Sequence, residues 1–187
     1  MTQFPSGNIT AGDSIIITFA MDDVAGAVSC NDTRGNSYSV DADITNPGNV
    51  RTVVLSAHHV VGLSSGDFIR VTHPATAARV VSANEFAGLA VGARDQTQSA
   101  IGTGKAPSSG TAASTTQARE LLIGAIGVAG PLTDTFKAGA QYTALGADGT
   151  TITIDSEFQI VQSIGAFDAS GRLNKSRSWA ASIVTYK

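Results

Sequence analysis

One cysteine, Cys30, stands in the whole chain, so no internal disulfide can staple it. At 187 residues the chain needs none, because a domain of this length buries roughly 70% of the surface its unfolded form exposes. Charge is also scarce. Asp, Glu, Lys and Arg make up 14% of the residues, well under the roughly 25% of ordinary soluble domains. The 12 Lys+Arg against 15 Asp+Glu leave a net charge of -3, and no basic run interrupts it. That argues against an electrostatic grip on nucleic acid or on an anionic membrane. Aromatic residues are few, at 6%, which leaves little material for the exposed rings on which sandwich domains hold sugars. Gly, Ser or Asp breaks every apolar run before it reaches the roughly 18 to 20 residues of a membrane-spanning helix. Residues 1–7 contain neither a basic nor an apolar segment, so the expectation is a chain without a signal peptide, and without membrane insertion.

What is present is period-2 alternation rich in β-branched residues, cut by Gly, Asn, Asp and Pro clusters. Strands are expected at 13–20, 27–31, 37–40, 51–57, 67–72 and 79–86, and then at 141–145, 151–154, 157–167 and 178–186. The run 120–127 reads as a strand buried on both faces or as a short helix. Ile15, Ile17 and Phe19 share one face of the first strand, and Val53 and Leu55 form an inward pair. Asp32 and Gly35 predict a β-hairpin joining 27–31 to 37–40, since Asp32 can bond the backbone ahead and Gly35 can supply a positive φ. Asn46-Pro47-Gly48-Asn49 is a turn, Asp148-Gly149 another, and a bulge is expected inside 157–167. The last strand is expected to pair near the first. The segment 92–116, centred on Gly102-Thr103-Gly104-Lys105-Ala106-Pro107-Ser108-Ser109-Gly110, reads as a long Gly/Ser/Thr-rich loop, an exposed linker or a piece ordered against a neighbouring subunit. The fold expected is one all-β domain over 1–187, a two-sheet antiparallel β-sandwich of jelly-roll type with about ten strands.

Chemistry-bearing motifs are sparse. Gly62-Leu63-Ser64-Ser65-Gly66 matches G-x-S-x-G, but a hydrolase elbow needs a helix after it and here a strand follows, so Ser64 is not expected to be catalytic. His58, His59 and His73 are the only imidazoles. His58 and His59 would face opposite sides of a strand and not chelate together. Asp22, Asp23, Asp32, Asp41 and Asp43 group in loops and strand ends, with Asp41 and Asp43 on one face as half of a calcium site at most; solvated caps are favoured. Glu85, Glu120 and Glu157 are the only glutamates and read as isolated acids rather than a glycosidase pair. Trp179 is expected in packing, while Tyr38, Tyr142 and Tyr186 are the better candidates for exposure. Asn8, Asn31 and Asn174 begin N-glycosylation triplets that read as noise without a signal peptide. Cys30 reads as a buried small hydrophobe. No catalytic, cofactor-binding or metal-ligating residue is assigned.

The progression Gly12-Asp13 plus strand, Asp32-x-x-Gly35-Asn36-x-Tyr38, Asn84-Glu85-Phe86-Ala87-Gly88-Leu89, Glu120-Leu121-Leu122-Ile123-Gly124 and Trp179-Ala180-Ala181 resembles jelly-roll-like β-sandwich modules. Such modules occur in bacterial surface and extracellular proteins and as phage virion decoration proteins. The resemblance supplies no catalytic residue and no cofactor. It implies a non-catalytic structural or assembly subunit of a virion or surface lattice, which associates with itself or with a particle. The alternative is a secreted carbohydrate-binding or adhesin module whose ligand is a glycan. Residues 1–9 and 102–110 are the segments expected at an interface.

Overall fold

The computed structural model describes residues 1–5 and 7–187, and it is all β. Fourteen strands are present among the described residues: β1 Thr2–Pro5, β2 Ser14–Met21, β3 Ser29–Asp32, β4 Ser39–Asn46, β5 Val50–Ala57, β6 Phe68–Thr72 and β7 Arg79–Phe86, then β8 Arg94–Gly104, β9 Arg119–Val128, β10 Phe136–Ala138, β11 Thr143–Gly149, β12 Thr153–Gln162, β13 Gly171–Leu173 and β14 Arg177–Tyr186. They form a four-stranded sheet (β4-β5-β2-β7), a five-stranded sheet (β11-β12-β9-β14-β8), a three-stranded sheet (β1-β6-β3) and the pair β10-β13, every pairing antiparallel.

The two larger sheets make the sandwich. Antiparallel strands usually alternate between core and solvent, yet every residue of β2 and of β5 is buried. The cause is that β5 and β2, at the middle of the four-stranded sheet, are covered on both faces. Ile16, Ala20, Val50 and Val54 pack onto Ile123, Ala125, Ile154 and Val184 of the five-stranded sheet. Ile15, Ile17, Phe19, Val53 and Leu55 point the other way, onto Ile69 and Val71 of the three-stranded sheet. Each such aliphatic side chain contributes roughly 1.5–3 kcal/mol when taken out of water.

The far face of the five-stranded sheet is covered too. Leu122, Val161 and Ile183 lie under Ala112 and Ala169, and Ile126, Val128 and Ala181 lie under Leu173. The cover is two stretches of irregular chain zipped together, with Ser109 N donating to Ala169 O, Ala112 N to Phe167 O and Thr115 N to Gly165 O. The two sheets of the sandwich are offset by half a strand. β4 lies across β8 and β14, β5 across β14 and β9, β2 across β9 and β12, and β7 across β12 and β11. The five-stranded sheet therefore overhangs the four-stranded one at both edges.

The all-β sandwich expected from the sequence is present, with more strands than expected. Several local expectations fail. The segments 27–31 and 37–40 do not form a hairpin, because β3 pairs with β6 and β4 with β5, in different sheets. The turn chemistry between them holds, as Asp32 Oδ1 accepts Arg34 N and Asn36 N and Gly35 takes φ 77°. The segment 92–116 is not one loop. Its residues 94–104 are β8, which orders polar residues by pairing along β14 rather than by burying apolar surface of its own. Strands 151–154 and 157–167 are the single strand β12, paired with β9 without a register shift. The bulge sits on its neighbour β11, between Ala144 and Gly146, where Gly146 takes φ 105°. Asp148 and Gly149 belong to β11 itself and the chain reverses after them. The closing strand β14 pairs with β8 and β9, not with the first strand.

Candidate functional site

The side chains singled out in the sequence are mostly engaged by the chain itself. Ser64 is exposed in the turn before β6, where its N–H donates to Asp67 Oδ2 at 2.9 Å and its hydroxyl accepts from Arg34 at 3.1 Å. It caps a turn, and hydrogen bonds from Ser64, Thr33 and Arg34 hold the Asp67 carboxyl well below its ordinary range. Asp22 accepts from Asn49, Thr76, Ala77 N and Ala78 N. Burial works to raise its pKa, but these bonds outweigh it and the net shift is downward. Asp32 accepts from Asn36 Nδ2 and from the Tyr38 hydroxyl as well as from its turn.

Asp41 and Asp43 do not share a face. The register of β4 on β5 shifts between Val40 and Ala42, so Asp41 is the extra residue of a bulge and the alternation inverts there. Asp43 forms a two-pronged ion pair with Arg51, at 2.8 and 2.6 Å. Asp41 turns into the sandwich, where its Oδ2 accepts from Ser56 at 2.5 Å and from Tyr186 at 2.7 Å. The three tyrosines expected at the surface are not exposed. Tyr186 is fully buried, and Tyr38 and Tyr142 are half-buried and bonded to Asp32 and to the Asp168 carbonyl. Trp179 is half-buried, with its ring over Gly102, where any Cβ would collide with it.

The Asp41 cluster floors a polar cleft of about 440 Å³ lined by Ser39, Val40, Asp41, Ser56, His58, Gly92 and Arg94. It brings a serine, a histidine and an aspartate together without the relay a nucleophile requires. Ser56 is bonded to the carboxylate rather than to imidazole, and His58 Nδ1 pairs at 2.9 Å with Ser14, which is fully buried. Burial lowers the His58 pKa, with His59 adding to the effect against the pull of Asp41. His59 bonds the Leu89 carbonyl and His73 bonds Thr2 and the Pro74 carbonyl. The imidazoles thus go to separate partners, and among the described residues no three His, Cys, Asp or Glu side chains converge as a metal site.

The glutamates separate as well. Glu85 accepts Thr10 N from β7 of the four-stranded sheet. Glu157 pairs with Gly124 and Glu120 with Val161, which puts the two glutamates four residues apart along the ladder, or about 13 Å. A glycosidase pair needs about 5–9.5 Å. Glu120 is buried beside Asp95, which takes Thr116 N, Thr116 Oγ1 and Lys187 Nζ at 2.7, 2.8 and 3.0 Å. Burial opposes ionisation of Asp95, but those partners carry it well below its usual range, whereas burial raises the Glu120 carboxyl.

The acid pair that does form is Asp155 with Glu157, two residues apart on β12 and both on its covered face. Each is buried, at 3% and 0% exposure. Glu157 Oε2 accepts Gly139 N at 2.9 Å, while Asp155 Oδ2 has no hydrogen-bond partner among the described residues. Burial pushes both carboxyls up to about 7. Room for Glu157 comes from Gly124 opposite it, where a Cβ would approach Glu157 Cγ to 2.6 Å. The pattern Thr153, Asp155, Glu157, Gln159, Val161 along one face was the available signal for this pair, obscured by splitting β12 into two strands.

No family model, curated protein or solved structure matches the chain.

Proposed function

We propose that the chain is a non-catalytic assembly module, a subunit of a virion coat or other surface lattice. The observation that supports this reading best is how the polar side chains are used. Asp22, Asp41, Asp67 and Asp95 each gather several donors from distant parts of the same chain. Such staples rigidify a scaffold, and they leave the outer surface to small uncharged residues suited to close packing against neighbours. The layered build has the same sense, since β2 and β5 at its centre are buried on both faces and only the strands around them meet the solvent.

Immunogold labelling with an antibody against the chain, on virions and on cells of the source organism, tests the reading. Label on particles or in a regular array on the cell surface is expected. Label confined to the cell interior overturns it. Specific binding on a glycan array, with no label on any particle, would move the chain to a carbohydrate-binding module.

A further inference from the structure

An edge strand offers a row of unpaired N–H and C=O groups, and proteins guard such rows with charge, proline, bulges or shortness. Most edges here are guarded. β4 carries Asp41, Asp43 and a bulge, and β7 carries Arg79 and Glu85. β11 is bulged, and β1 and β3 are four residues each. The exception is β8.

β8 runs for 11 residues, ends the five-stranded sheet, and has no strand beyond it among the described residues. Its charges, Arg94 and Asp95, occupy its first two positions, and 96–104 contains neither charge nor proline. From Thr97 to Gly104 it is paired with β14 without a shift. Because the five-stranded sheet overhangs its neighbour, Thr97, Ile101 and Thr103 remain exposed on the face turned toward that neighbour, Ile101 at 43%.

We propose that β8 is a homotypic docking edge, pairing antiparallel with β8 of a second copy about a two-fold axis at Ala100. This rests on the assembly reading above and names the partner. Sequence symmetry favours the second copy as occupant. About Ala100, Thr97 faces Thr103 of the partner subunit and Ser99 faces Ile101 of the partner subunit, while Asp95 stays committed to Thr116 and Lys187 of its own chain. No like charges are directly opposed along 96–104. Threonines opposite one another are favourable cross-strand neighbours. A two-fold contact is self-complementary and closed, so both β8 edges disappear at once. Five strands from each copy then form one continuous sheet.

Sedimentation velocity over a dilution series tests this, with wild type expected as a dimer. The double variant Thr97→Lys/Thr103→Lys opposes lysines at two symmetric places and should weaken the dimer by about 100-fold or more. Thr97→Lys/Thr103→Glu opposes lysine to glutamate and should restore it to within about tenfold of wild type. Both positions are exposed, and an unchanged circular dichroism melt of the monomeric variant shows that folding is intact. A wild type that stays monomeric into the high micromolar range overturns the proposal, as does a dimer indifferent to the paired lysines or one the charge swap fails to restore. A monomer that still labels particles removes β8 and spares the assembly reading. A β8 dimer that labels only the cell interior does the reverse.

Discussion

Ionising Asp155 or Glu157 puts a charge beneath the cover of the five-stranded sheet, and for Glu157 the nearby carboxyls of Asp168 and Asp155 add repulsion to the cost of burial. The folded carboxyls titrate near 7 against ordinary values of 3.8 and 4.5. Folding therefore favours the protonated forms. Their contribution to stability is complete below pH 4 and is lost as pH rises through about 7. Wild type should melt lower at pH 8 than at pH 5. Asp155→Asn combined with Glu157→Gln should raise the midpoint at pH 8 by about 2–10 °C, with little change at pH 4, by calorimetry at the two pH values. Cys30 is a second residue whose setting decides its chemistry. Burial, reinforced by Asp32, pushes its thiol up to about 12. Alkylation by iodoacetamide at pH 8 should be at least about 100-fold slower in the native protein than in denaturant, measured by mass spectrometry.

Among elements, the spacing of the two central sheets rests on small residues at their contact. A Cβ on Gly127 of β9 would collide with the Thr52 hydroxyl and come within 3.1 Å of Val50 Cγ2 on β5. Thr52 is fixed in place by its own bond to the Ala180 carbonyl, 2.8 Å away. Gly127→Ala should cost about 1–3 kcal/mol in urea unfolding with an unchanged m-value. Strands of this kind were legible from composition and period: β2, β5, β7 and β14 fall within a residue or two of their expected places, because alternation and β-branched runs are local properties, while the continuous apolar run of β9 left strand and helix open. Pairing was not legible. The turn at Asp32 was read correctly and its hairpin was not, since a tight turn fixes the direction of the chain and not which layer the next strand joins. β8 was missed for a related reason, as a Gln/Thr/Ser strand gains its order from β14. The acid pair on β12 follows from alternation once 153–162 is one strand, whereas the inversion at Asp41 depends on a register that only the neighbouring strand defines.

At the level of the whole molecule, four layers stand in series: the three-stranded sheet, the four-stranded sheet, the five-stranded sheet and its irregular cover. Stability should grade across them. Amides of β2 and β5, central in the doubly buried sheet, should exchange with solvent only through global unfolding, while those of β1 and β10 should exchange through local opening. Hydrogen exchange followed by mass spectrometry would show this as a difference of several orders of magnitude in protection. The overhang that frees β8 also fixes the optical behaviour of the chain. Trp179 is the only tryptophan, and its ring lies over Gly102 on that same overhanging strand. Intrinsic fluorescence therefore reports on a single edge: a red shift that precedes the loss of circular dichroism on heating would signal β8 peeling from β14 while the layers behind it are still folded.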